Sequence, residues 1–185
     1  MVASVLPTTH SRGLAPLWEV PVAVGLGVAA VLAAGVGPVT VTLLYLAAVT
    51  PALVRSDLTV RRLPNRLVLP AYVVFIVALV ALVAQGVIAG QFPVVAVLSG
   101  LGYFGLLFTL SLAGGMGMGD VKLAGALGLS AGMLGVEAAV VSPLIAFLAG
   151  GVAATITLAR NARGTHIPFG PFILAGFWAA VLLPL

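Results

Sequence analysis

The chain has 185 residues, of which 62% are hydrophobic and 6% charged, with a mean hydropathy of +1.30; a typical soluble domain is about 25% charged, so both a water-soluble globule and a disordered chain are excluded. Eight Lys and Arg against four Asp and Glu give a net charge of +4, and basic residues this sparse in so apolar a chain point to membrane topology rather than to a nucleic-acid surface. Cysteine is absent, which removes disulfides, thiolate metal sites and cysteine nucleophiles.

A membrane helix needs roughly 20 apolar residues, and seven candidate spans follow one another. Residues 1–14 are polar and read as a short cytoplasmic segment without the basic, apolar and small-residue order of a removable signal peptide. The spans are then Ala15–Ala34, Val39–Val54, Leu67–Ile88, Phe92–Ala113, Val121–Gly135, Ala138–Ala159 and Pro168–Leu185. The fifth is short enough to be re-entrant, and the first carries Glu19, which either snorkels to the interface or lies outside a span that begins nearer Val20. Pro51, Pro70, Pro93 and Pro143 fall near span ends or inside spans, where neighbouring helices can satisfy the freed backbone groups. No linker, composition shift or repeat divides residues 15–185, so the expectation is one all-α polytopic membrane helix bundle of about seven helices.

Lys and Arg in short loops stay on the cytoplasmic side. With the N-terminus inside, seven crossings place Arg12, the Arg55, Arg61, Arg62 and Arg66 loop, Lys122, and Arg160 with Arg163 all on that side. The opposite loops, Gly35–Pro38, Ala89–Gln91 and the turn at Glu137, hold no basic residue.

An ionisable side chain at membrane depth is costly and is kept for a pair, a pathway or a reaction. Asp57 follows the second predicted span and Asp120 opens the fifth, so both fall at cytoplasmic ends despite the distance between them in sequence. Two carboxylates sharing a poorly solvated site do not both ionise readily, and one then serves as acid while the other serves as base. Gly114, Gly115, Gly117 and Gly119 precede Asp120 and suit a platform on which an extended peptide approaches closely. The plainer alternatives are that Asp120 is a helix N-cap, that the glycines serve packing and turns, and that Asp57 is an interfacial charge balanced by the nearby arginines.

The stretch from Asp57 to Pro64 and Asn65 resembles the first-aspartate motif of the type IV prepilin peptidases, and Gly117-Met-Gly119-Asp120-Val-Lys122 resembles their Gly-x-Gly-Asp motif. Ile167-Pro168-Phe169-Gly170-Pro171-Phe172 is similar to the Pro-Phe-Gly-Pro element that opens their last helix. The resemblance implies an aspartic-type endopeptidase in a prokaryotic plasma membrane, with Asp57 and Asp120 as the catalytic pair at the cytoplasmic face. Gly117, Gly119, Lys122, Pro64, Asn65, Pro168 and Gly170 are then binding or supporting residues. The implied partner is a membrane-inserted prepilin or pseudopilin precursor, cleaved after a glycine that follows a basic leader. No cofactor, metal or nucleic acid is implied. Longer members carry a cysteine-containing zinc insert and methylate the new N-terminus; this chain has no cysteine, so methyltransferase activity is not expected.

Gly128-Leu-Ser130-Ala-Gly132 matches the Gly-x-Ser-x-Gly elbow of serine hydrolases, with His166 as a base, but lacks the strand-turn-helix setting that exposes the hydroxyl. It reads better as a helix-packing surface. Lys122 lies two residues from Asp120, so on a helix it points elsewhere and suits anchoring at the headgroups. Arg61, Arg62 and Arg66 form a patch that attracts anionic lipid heads. A small proton- or ion-coupled transporter using the same two carboxylates is the competing expectation, although it would place them nearer the bilayer midplane, between repeats of broken helices.

Seven crossings from an inside N-terminus put the C-terminus outside. A C-terminal reporter active only in the cytoplasm should therefore stay dark, and a signal from it would mean that the count is wrong by one.

Overall fold

The computed structural model describes residues 17–86, 92–114, 116–160 and 168–183. Among these there are seven α-helices and no strand: α1 (Glu19–Ala34), α2 (Pro38–Val60), α3 (Asn65–Ala84), α4 (Phe92–Leu112), α5 (Met118–Leu134), α6 (Val136–Ala159) and α7 (Gly170–Leu182). Each predicted span thus has its helix, in order. The 1–14 segment with His10 and Arg12, and likewise Gly115, Arg163 and His166, lie outside the described residues.

Four helices, α2, α3, α4 and α6, are long and apolar enough to cross a membrane; α1, α5 and α7 have 16, 17 and 13 residues. The chain is a membrane protein of inverted surface character. Leu98 and Leu101 on α4 and Leu144 and Leu148 on α6 are exposed, which is costly in water and costs nothing against lipid.

One boundary corrects the sequence expectation. α2 runs past Val54 to Val60, so Asp57 lies inside a helix rather than after it. The apolar run ends where the chain leaves hydrocarbon, but the backbone hydrogen bonds do not. In these last turns the Thr59 hydroxyl donates back to the Arg55 carbonyl at 2.7 Å and the Ser56 hydroxyl donates to the Arg62 carbonyl at 2.7 Å.

The short α5 is the axis of the bundle, packed against α2, α3, α4, α6 and α7. A helix wrapped by other helices gains more from closeness than from greasiness, which accounts for its Gly- and Ala-rich sequence. Gly128 and Gly132 lie against the backbone of α4 at Ser99 and Ala96, where no Cβ would fit. Between them Ser130 is fully buried and shares a hydrogen bond with the Thr42 hydroxyl at 3.1 Å. The Gly-x-Ser-x-Gly pattern is therefore a helix-packing surface, and its serine is a bridge to α2.

Buried polar contacts tie the helices together at several depths. The Trp178 indole donates to the Thr50 hydroxyl at 3.0 Å, joining α7 to α2, and the Tyr72 hydroxyl donates to the Lys122 carbonyl at 2.6 Å, joining α3 to α5. Tyr103 donates to the Ala139 carbonyl, joining α4 to α6. The pairing brings the C-terminus of α2 and the N-termini of α3, α5 and α7 to one end of the bundle. Arg55, Arg61, Arg62, Arg66, Lys122 and Arg160 all lie at that end. At the other end the chain reverses through Gly35 and Gly135, whose φ values of 67° and 130° suit glycine.

Replacing Gly132 by Leu should force α4 and α5 apart, at a cost of about 1–3 kcal/mol for an overpacked core. Gly151→Leu on α6, where an added Cβ meets nothing, is the matched control. Thermal unfolding in detergent should show a lowered midpoint for the first variant and not for the second.

Candidate active site

The basic end of the bundle is built from three chain segments. In the first, α2 stops at Arg61, which adopts the left-handed conformation (φ 53°) while its amide donates to the Asp57 carbonyl at 3.1 Å. That reversal turns Leu63 inward and lets Pro64 cap α3, its carbonyl accepting the amides of Leu67 and Val68 at 2.9 and 3.3 Å. The Pro and Asn that follow Asp57 thus form the start of the next helix and redirect the chain. Neither residue hydrogen-bonds to Asp57.

In the second segment Gly117 is the N-cap of α5 and Asp120 stands in its first turn, so Asp120 is not the cap itself. The expectation of a glycine platform also needs correction. Gly114 has a positive φ of 79°, but Gly117 has an ordinary extended backbone at φ −79°. The bare face of Gly119 is turned to Leu63 of the same chain, where an added Cβ would lie 3.1 Å from the Leu63 Cβ. Close approach is required, but by the chain's own α2–α3 turn. The contact locks the Asp57 segment to the Asp120 segment.

The third segment brings the carboxylates together. Phe169 caps α7, its carbonyl accepting from Phe172 and Ile173 at 3.0 and 3.1 Å. Its ring packs on Phe147 of α6, with centroids 5.5 Å apart, and lies over Gly150, where a side chain would collide with it. With the ring held there, the Gly170 amide donates to Asp57 Oδ2 at 3.0 Å. A Cβ on Gly170 would stand 2.7 Å from Asp57 Oδ2 and 3.4 Å from Asp120 Oδ1, which bounds the separation of those two oxygens at about 6 Å. The half-buried Pro168 precedes this turn.

Both carboxylates are almost dry: Asp57 is 4% exposed and Asp120 8%. Asp120 Oδ1 is buried without any hydrogen-bond partner. Among the described residues neither acid pairs with a cation, so the arginines do not balance Asp57. Arg55 instead reaches Glu19 at 2.8 Å, and Glu19, expected to snorkel, is buried in that ion pair between α1 and α2. Lys122 points away from the acids and donates to Asn65 Oδ1 at 3.3 Å. Asp57, Asp120 and Gly170 therefore meet, Gly119 braces them through Leu63, and Pro64, Asn65 and Lys122 form a neighbouring cluster. Among the described residues no three His, Cys, Asp or Glu side chains gather as a metal site would require.

Sequence reasoning did not single out Gly150, Phe147 or Tyr72. The adjacent Gly150 and Gly151 were the available signal for a close contact on α6, but only the fold shows that a ring from the Pro-Phe-Gly-Pro segment fills it.

A family model described as the type IV leader peptidase family matches residues 43–158, well over half the chain. The chain belongs to the type IV leader peptidase family. The matched region contains both aspartates, Pro64, Asn65, Gly117, Gly119 and Lys122, and ends before Pro168 and Gly170. No curated protein and no solved structure matches the chain. Membership supports a leader-peptidase-like, proteolytic function for the chain.

Gly170 is the test of the three-segment geometry. In Gly170→Ala the new methyl meets Asp57 Oδ2 at 2.7 Å, inside normal contact, so the α7 amide must draw back. Peptidase activity should fall by at least about tenfold, the scale of a lost and misplaced hydrogen bond to a charged group, while the amount of inserted protein stays unchanged in membrane extracts.

Proposed function

We propose that the protein is an aspartic-type endopeptidase of the cytoplasmic face of a prokaryotic plasma membrane, and that it removes the basic leader of prepilin-like or pseudopilin precursors after a glycine. The observation that carries this reading is the pair Asp57 and Asp120. The two carboxylates come from different helices, are nearly dry, have oxygens within about 6 Å of each other across Gly170, and leave one oxygen without a partner.

At a separation of no more than about 6 Å one water can reach both carboxylates. Asp57 accepts the Gly170 amide at 3.0 Å, a hydrogen bond that favours its ionised form, and it takes a proton from the water. Asp120 then holds the proton that its orphaned oxygen can present to the substrate carbonyl. The water oxygen bonds to that carbonyl carbon as Asp57 gains its proton and Asp120 gives one to the carbonyl oxygen. When the tetrahedral intermediate collapses, the C–N bond breaks, the leaving amine takes the proton held by Asp57, and the gem-diol hydroxyl returns one to Asp120. Each residue ends as it began.

The bond to be cut must reach the dry end without the rest of the precursor leaving the membrane. A substrate with a short basic leader, a glycine and a following apolar helix meets that need, because its scissile bond lies where helix and headgroups meet. The glycine after which the chain is cut leaves no side chain to collide with the Gly170 turn. The transporter alternative gains nothing from the structure: both acids lie at one end of the bundle, and α2 and α5 are continuous helices at those residues.

The test is processing of a co-expressed precursor, read as a mobility shift. Asp57→Asn and Asp120→Asn should each abolish cleavage, and the double variant should be no worse than either, since residues that act as one unit are non-additive. Both should accumulate normally, because Asn keeps the size of each side chain and brings no charge into the dry site. Ser130→Ala and His166→Ala should retain substantial cleavage. Full processing by either Asn variant at normal expression would refute the assignment.

A further inference from the structure

The helices α3 and α4 both rest on α5 and barely meet each other, which leaves a groove of about 660 Å³ open to the membrane side. Its walls include Leu69 and Leu79 of α3 and Leu101 of α4, its floor Gly125 and Leu129 of α5, and Lys122 stands at its basic end. Almost nothing polar lines it apart from Lys122 and Tyr72, and the Tyr72 hydroxyl is already committed to the Lys122 carbonyl. From Leu69 to Leu79 the groove is about 15 Å long at 1.5 Å per residue, or half of the roughly 30 Å hydrocarbon thickness. That is the reach of one leaflet's acyl chain.

The head of the groove supplies the charge. The Lys122 ammonium has a neutral partner, Asn65, and among the described residues no carboxylate pairs with it. Arg66 is the next residue along α3, and it lines a second, shallower concavity of about 550 Å³ on the outer face of that helix together with Asn65, Leu69 and Val73. Leu69 belongs to both hollows. Two apolar troughs therefore flank α3 and meet at a cluster of two cations and an amide.

We propose that this is a binding site for one anionic diacyl phospholipid, whose phosphate is held by Lys122, Asn65 and Arg66 while its acyl chains straddle α3, one of them filling the α3–α4 groove. The proposal rests on the membrane reading alone and not on the catalytic assignment. Such a lipid would complete the gap beside α5 and brace the first turn of that helix, which carries Asp120.

The test uses the full-length protein in phosphatidylcholine vesicles doped with phosphatidylglycerol or with phosphatidylcholine, each carrying a photoactivatable group near the end of one acyl chain, with adducts mapped by mass spectrometry. The anionic probe should label the part of the groove around Leu79 and Leu129 about fivefold more than the neutral probe, the preference that one cation near an anionic head supplies. Lys122→Gln should remove most of that preference and Lys122→Arg should retain it. Leu101→Trp, at a lipid-exposed position that tolerates a larger side chain, should block labelling by both probes. Equal labelling by the two lipids, a preference insensitive to Lys122→Gln, or displacement of the probe by a precursor's apolar segment would overturn the proposal. Cleavage is not measured, so failure of the lipid proposal leaves the peptidase reading standing.

Discussion

The constraint on which the rest of the structure depends is the placing of two carboxylates in a nearly dry site where, among the described residues, no cation neutralises them. An unpaired buried acid is expensive, so whatever brings it there must be rigid and must supply hydrogen bonds. For Asp57, among the described residues, the supply is one backbone amide. Gly170 gives its N–H to Asp57, and only glycine fits between that carboxylate and Asp120. Everything around the site serves to hold that amide in position: the Phe169 ring on α6, the glycine beneath it, and the Trp178–Thr50 bond deeper along the same pair of helices.

The same requirement explains why the bundle is organised around its least apolar helix. α5 carries Asp120 and must be reached by α2 and α7, which bring Asp57 and Gly170, while remaining shielded from lipid. A helix of small residues meets both needs, because its neighbours can approach to backbone contact. The longer, greasier helices α3, α4 and α6 do the opposite work and present large aliphatic side chains to the bilayer. Their outward residues do little to specify the site, yet they fix its depth, since the apolar length of each helix sets where its ends emerge.

Charge is distributed on a similar division of labour. The basic residues gather at the end of the bundle that holds the acids but stay off the acids themselves: Arg55 pairs with Glu19, and Lys122 turns to Asn65. A guanidinium against either carboxylate would stabilise its ionised form and remove the asymmetry that a shared proton needs. On the proposed topology these cations face the membrane surface.

The sequence by itself determined the architecture class, the number and order of the helices, the clustering of basic residues at one end, and the identity of the two acids. These follow from composition, the length of apolar runs and the rarity of charge in them, properties that each segment carries alone. Family motifs extended this to Pro64, Asn65, Gly117, Gly119, Lys122, Pro168 and Gly170, but not to what each of them touches. Only the tertiary structure decided that Asp57 lies within a helix, that Gly119 serves the chain's own Leu63, that Ser130 is a buried bridge, and that Glu19 is the partner of Arg55. It also decided that a ring seated on Gly150 aims the Gly170 amide. Each of these depends on two segments meeting across the bundle, and a pattern of residues along one segment records its periodicity and polarity but not which neighbour will face it.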